Sequence, residues 1–397
     1  MTGRLTLDRP RLSELDLSHN RLTSVRNVDS LRSLETLNLS FNQISHISNS
    51  EAISNLHSLK LSNNRLSGLS TTFFPSLKLL YVDHNRLSTI LGLDYCDKLE
   101  TLSAREQVVE NNDICFELDL SQIPDIRKLY LSSNRLSSKC LSPSKPLLSL
   151  QLLDIASCHI KTLPGEFALN FPNVKVLNLN FNSLTSIEEI ANMKCLSRLG
   201  AAGNRINRLR RLCQVLSSLG RSTKGVGCTL QKVDLRGNPL TVRFYPPPIT
   251  GRGRDKIRDK DEIKKLKDQP HSTNDKKRLG TLTDILGEIG PLENIANPTT
   301  WDDDDNEIDE RDMEINDPYT LPEADPQADA KYLSHLDEST RLRRRVLELM
   351  LYAGSGGSIK YLDGLLLRPS LESNPDVDRA WSKLEELGVL RKKAITG

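Results

Sequence analysis

The sequence predicts an α/β solenoid in which short parallel strands stack into one concave sheet and each strand is followed by a tight return. Three observations carry this. A pattern of five positions recurs about every 22 residues through the first 240 residues. Within each unit two apolar positions flank one variable residue, the alternation of a strand that buries one face. An asparagine follows at a fixed offset, where the chain must turn.

The first three units read Leu12, Leu15, Leu17, Asn20, Leu22; Leu34, Leu37, Leu39, Asn42, Ile44; and Leu56, Leu59, Leu61, Asn64, Leu66. The fourth is Leu77, Leu80, Val82, Asn85, Leu87, and after a degenerate unit (Leu99, Leu102, Ala104) come Ile126, Leu129, Leu131, Asn134, Leu136. Leu150, Leu153, Ile155, Cys158 and Ile160 form the next, with Cys158 in the asparagine's place. Leu177, Leu179, Asn182, then Leu196, Leu199, Asn204, then Leu230, Val233, Leu235, Asn238 complete about ten units. This is a leucine-rich-repeat solenoid, occupying residues 1–245.

The leucines are core. Asn20, Asn42, Asn64, Asn85, Asn134, Asn182, Asn204 and Asn238 are structural, because a turn amide can pair the backbone groups of its neighbour that would otherwise be buried and unpaired. Units this short leave room on the convex side for only a short helix or 3₁₀ turn.

Tyr245, Pro246, Pro247 and Pro248 end the repeat, since successive prolines cannot continue a ladder. Residues 246–328 read as a long, largely disordered insertion, basic over 251–278 and acidic from Asp302 to Asp312. Those blocks are a solvated linker or, less favoured, a regulated docking tail. Residues 329–397 read as the closing segment. A helix over 329–352 carries Tyr332, Leu336, Val346 and Met350 on one side, with Arg341, Arg343, Arg344 and Arg345 mostly elsewhere. Gly354, Ser355, Gly356 and Gly357 stop it, and the LDG of Leu362, Asp363 and Gly364 supplies a last strand that, with the helix, caps the solenoid. Asn374 and Pro375 start a terminal helix over 375–387 with Val377, Trp381 and Leu384 on its packed face. At the other end the chain enters through Leu5 and Leu7 in half a unit without a capping helix, which reads as a fragment of a longer protein.

Lys plus Arg (54) nearly balances Asp plus Glu (52), so no global field favours nucleic acid or a membrane. The seven cysteines show neither metal spacing nor a disulfide framework, and no secretion signal or membrane span stands out, which together point to a reducing, intracellular setting. No phosphate loop, HExxH, GxSxG or kinase set is present, and the histidines lie in separated units. The sequence therefore predicts no enzyme, no metal, no cofactor and no small-molecule substrate. Binding protein is the chemistry left. Its place is the outward middle position of each strand: Asp16, Asn38, Lys60, Tyr81, Ser103, Tyr130, Asp154, Asn178, Gly200 and Asp234. Tyr81 and Tyr130, with Lys60, Asp83, Arg105 and Lys128 nearby, form the candidate anchor patch, although the two tyrosines read equally well as tolerated surface residues.

The pairing of these repeats with a charged insertion and then RLRRRVLELMLYAGSGGSIKYLDGLLL, residues 341–367, resembles the carboxy-terminal region of fungal septation-initiation-network scaffolds, related to the budding-yeast mitotic-exit scaffold and more distantly to centriolin. The repeats are generic; the specific part is 316–364. The resemblance implies a cytoplasmic, cytoskeletal scaffold of the cell cycle and cytokinesis at the spindle pole body, held by a pole anchor protein and gathering a mitotic signalling GTPase and kinase complexes. It also implies that a long amino-terminal part of the family scaffold is absent here. Two other readings are a regulatory subunit of a protein phosphatase, resembling one built from similar 22-residue repeats, and, more weakly, a GTPase activator, a family whose units are longer and carry convex helices.

Overall fold

A computed structural model describes residues 12–26, 31–48, 51–108, 115–219, 230–246, 319–367 and 375–386. The insertion expected to be disordered falls mainly on 247–318, and the half unit at Leu5 and Leu7 on 1–11; both lie outside the described residues.

Among the described residues twelve strands form one sheet. In chain order its members are β1 (Glu14–Asp16), β3 (Thr36–Asn38), β5 (Ser58–Lys60), β7 (Leu79–Tyr81), β9 (Thr101–Ser103), β10 (Lys128–Tyr130), β11 (Leu152–Asp154), β12 (Val176–Asn178), β13 (Arg198–Gly200), β14 (Lys232–Asp234), β15 (Tyr361–Leu362) and β16 (Leu365–Leu366). All pairings are parallel except the last, β15 with β16. Each repeat strand is centred on the second apolar position of its motif, as β1 is on Leu15 and β3 on Leu37. Its flanking residues therefore both face outward, and the outward face is twice as rich in positions as the middle residue alone suggests.

The convex side is as spare as the unit length requires. Two small sheets, β2 (Ser24–Arg26) with β4 (His46–Ser48) and β6 (Leu69–Ser70) with β8 (Ile90–Leu91), line the first units. Later units use 3₁₀ turns such as Leu93–Tyr95 and Glu188–Ile190, and the short helix α1 (Phe167–Asn170). Among the described repeat residues a full helix, α2 (Leu209–Ser218), occurs only in the stretch between the paired residues Leu199 and Val233, which exceeds the usual period.

The closing segment departs from its sequence reading in three respects. The described chain resumes at Tyr319, ahead of the expected boundary at 328, because Asp325 and Pro326 already start a helix, α3 (Pro326–His335). A second helix, α4 (Glu338–Gly354), follows where one continuous helix was expected, because the Asp337 carboxylate accepts from the Thr340 amide and both nearby hydroxyls. Those three bonds hold the Asp337 carboxyl well below the usual range. The third is Arg344, which is 3% exposed and does not share a solvent face with its arginine neighbours. Its guanidinium grips the Asp329 carboxylate at 2.7 and 2.9 Å, bonds Glu348 at 3.0 Å and reaches the Phe244 carbonyl at 2.9 Å. It thereby ties both helices to the solenoid's last turn. α4 packs on α2 and on α5 (Pro375–Glu386), where Val377, Trp381 and Leu384 are buried as expected.

Candidate protein-binding surface

The turn asparagines pair backbone groups of neighbouring turns. Asn64 is representative: its amide donates to the Leu39 and Leu61 carbonyls at 3.0 and 2.9 Å, and its oxygen accepts from the Ile44 amide at 2.9 Å. Asn42, Asn85, Asn134, Asn182, Asn204 and Asn238 each donate in the same way to their own and the preceding turn. Asn20, with no described unit before it, donates only to its own turn, at Leu17 and Ser18. Cys158 substitutes a thiol, 3.3 Å from the Leu131 and Ala156 carbonyls, and burial pushes that thiol far up. The degenerate unit is not without its amide. Gln107 supplies it, donating to Val82 at 2.9 Å and accepting from Leu87 at 3.1 Å. Its signal in the sequence was a carboxamide three positions after Ala104, one methylene longer than the pattern asks for.

On the concave face, Lys60, Tyr81, Ser103 and Tyr130 fall in one register row across β5, β7, β9 and β10. Lys128 begins β10, and Asp83 and Arg105 lie just past the ends of β7 and β9. The candidate residues are thus neighbours, but not equally open. Lys60 and Tyr81 are half-buried, whereas Tyr130 is 8% exposed and forms an apolar cluster with Leu152 and Val176 on this outer side of the sheet. Arg105 explains part of that burial: its guanidinium lies 4.6 Å from the centre of the Tyr130 ring and bonds the buried Asp154 at 2.9 Å. Asp83 accepts from the Ser103 hydroxyl at 2.6 Å and the Arg105 amide at 2.7 Å. Asp154 and Asn178, expected to be presented outward, are buried and cap amides of the following turn, and Ser103, expected outward too, is buried with its hydroxyl donated to Asp83.

Burial here has a second cause, which the strand pattern does not reveal. Residues 319–324 run along the concave face as a strap. The Tyr319 carbonyl accepts from Asn180 at 2.9 Å and Asn178 at 3.3 Å, and its hydroxyl donates to Glu106 at 3.1 Å. The Pro322 carbonyl accepts from Arg236 at 2.8 Å. Burial pushes the Tyr319 phenol up. Its ring also lies 5.9 Å from Arg105, so the strap ends on the candidate patch. Glu106 pairs with His84 at 3.3 Å, a hydrogen bond that raises the imidazole and lowers the carboxyl. Asn180, Arg236 and Tyr319 were not among the expected site residues; the hint was that Tyr319 lies inside 316–364.

Among the described residues no three His, Cys, Asp or Glu side chains gather where they could hold a metal ion, and no helix is long and apolar enough to cross a membrane.

Leucine-rich-repeat profiles match residues 10–51 (two copies), 55–77 and 149–206. The chain is 41% identical over 236 residues to the septation initiation network scaffold protein cdc11 of Schizosaccharomyces pombe. The chain is a leucine-rich-repeat relative of that scaffold. The match takes in 59% of this chain and 21% of the fission-yeast protein, so this leucine-rich-repeat chain spans about a fifth of its relative's length. Trophoblast glycoprotein of Macaca fascicularis is 29% identical over 119 residues, 30% of this chain and 27% of that one. Among solved structures, an internalin of Listeria monocytogenes superposes with a TM-score of 0.41 at 18% identity, covering 57% of this chain and 74% of that chain.

Proposed function

We propose that this chain is a non-enzymatic, protein-binding part of a septation-initiation or mitotic-exit scaffold. It sits at the spindle pole body, where an anchor protein holds it and a signalling GTPase and kinase complexes assemble with it. The observation that carries this is the 41% identity to a scaffold of that network. The geometry supports it: a continuous parallel sheet offers a long row of outward side chains, with Lys60 and Tyr81 half-buried beside Arg105. A scaffold needs no reacting group. Holding two components on one platform makes their encounter intramolecular and raises the effective concentration of each for the other.

The test is imaging of the tagged chain through mitosis in fungal cells carrying a labelled pole marker. The expected result is a focal signal at the poles, reduced severalfold by Tyr81→Ala combined with Lys60→Glu. Diffuse signal from the unsubstituted chain would overturn the reading.

A further inference from the structure

We propose that the concave face over β12, β13 and β14 is a groove for an extended peptide segment, and that residues 319–324 are its resident occupant, displaced by a partner segment of the same form. The inference rests on the reading of the concave face as the binding surface, and it adds which part of that face is built for a peptide and how access to it is governed.

The groove is made of donors fixed before any ligand arrives. With the strap in place Asn178 and Asn180 are 1% and 2% exposed. Their carboxamide oxygens are committed to backbone amides, Asn178 to Asn180 at 3.1 Å and Asn180 to Ala202 at 2.8 Å. That commitment orients both NH₂ groups toward one point, which the Tyr319 carbonyl fills. Gly200 leaves the space for them: a Cβ there would stand 2.9 to 3.0 Å from atoms of both carboxamides. Further along, Arg236 is oriented by Asp234 at 2.6 Å and offers its remaining nitrogen to the Pro322 carbonyl. What these groups read is main-chain carbonyl oxygen, the feature every extended peptide presents. At the head of the groove the phenol fits between Glu106 and Arg105, so the favoured occupant begins with a hydroxylated aromatic.

The strap is held in a way that permits exchange. Leu321 is half-buried, and Pro322 and Glu323 are exposed, so hydrogen bonds rather than a dry apolar interface retain it. Each such bond shifts an equilibrium by roughly 2- to 10-fold. The strap's own advantage is its tether: Ala324 immediately precedes Asp325, whose side chain caps α3, and its amide lies close against Gly364. A competitor must overcome that local concentration, and removing the strap removes the handicap.

The experiment uses the full chain and a synthetic peptide of residues 319–325, followed by chemical-shift changes at the Asn178 and Asn180 side-chain amides up to millimolar peptide. In a chain carrying Tyr319→Gly and Leu321→Gly the peptide is expected to bind about 10-fold or more tightly than in the unsubstituted chain. Adding Gly200→Ala, whose Cβ stands against both carboxamides and turns their NH₂ groups out of place, is expected to abolish the gain. Equal response in both chains, or none in the strap-substituted one, overturns the proposal. No pole component enters this titration. Its failure therefore leaves the scaffold reading standing, while loss of pole signal in the unsubstituted chain leaves the groove standing.

Discussion

At the scale of single residues, Asp363 has the clearest energetic consequence. In each upstream unit the amide after the strand donates to a carbonyl of the next strand, as Ala201 does to Asp234 at 2.8 Å. At the end of the ladder Leu235 donates instead to the Asp363 carboxylate. The residue lies in the left-handed region at φ 56°, which lets β15 turn back into β16. Complete burial, reinforced by the nearby Asp234 charge, pushes the Asp363 carboxyl up to about 7. A carboxyl raised on folding binds its proton more tightly in the folded state. Its contribution is therefore full at low pH, and is lost as pH rises from about 4 through 7, by up to about 4 kcal/mol. Asp363→Asn keeps the acceptor and tolerates the backbone, but has no charge to bury. The variant is expected to match the parent near pH 3, where the carboxyl is protonated in both states, and to exceed it in urea stability increasingly from pH 5 to pH 8. A difference independent of pH would refute the account.

At the scale of elements, the repeat strands were readable because leucines at fixed offsets report a local constraint, whereas the cap depended on partners distant in sequence. The apolar period runs unbroken through 329–352, yet Asp337, followed by Ser339 and Thr340, starts a new helix. Four arginines in a row of five residues look like a solvated face. Arg344 turns inward because Asp329, fifteen residues back, and Glu348, one turn on, offer it carboxylates beside the last repeat. Breaking that network leaves Asp329 buried without its cation. Arg344→Met is expected to destabilise the chain by about 3–5 kcal/mol, and Arg344→Lys by less, since lysine keeps the charge but not the fork. Urea unfolding checks this, and an unchanged midpoint for Arg344→Met would show that the network does not hold the cap. The strap was harder still to foresee: Asn178 and Tyr319 are 141 positions apart, and nothing in a strand's alternation says that a carboxamide will take a distant carbonyl.

At the scale of the whole molecule, stability in a solenoid is close to a sum of units and of the interfaces between neighbours, so an uncapped end exposes both apolar surface and an unpaired strand. Here the end is closed twice: β15 pairs with β14, and α4 covers α2, whose Leu212, Val215 and Leu216 are buried. Both closures come from beyond residue 319, more than 70 positions after Pro246 in the chain. A chain ending at Pro246 retains every preceding repeat yet presents the β14 edge and the outer side of α2 to solvent. It is expected to self-associate in a concentration-dependent way and to lose cooperative unfolding in its last units first, as read by light scattering and by hydrogen exchange at β13 and β14. If that truncation were monomeric and its β14 amides as protected as in the full chain, the closing segment would be an appendage on an already complete solenoid rather than its cap.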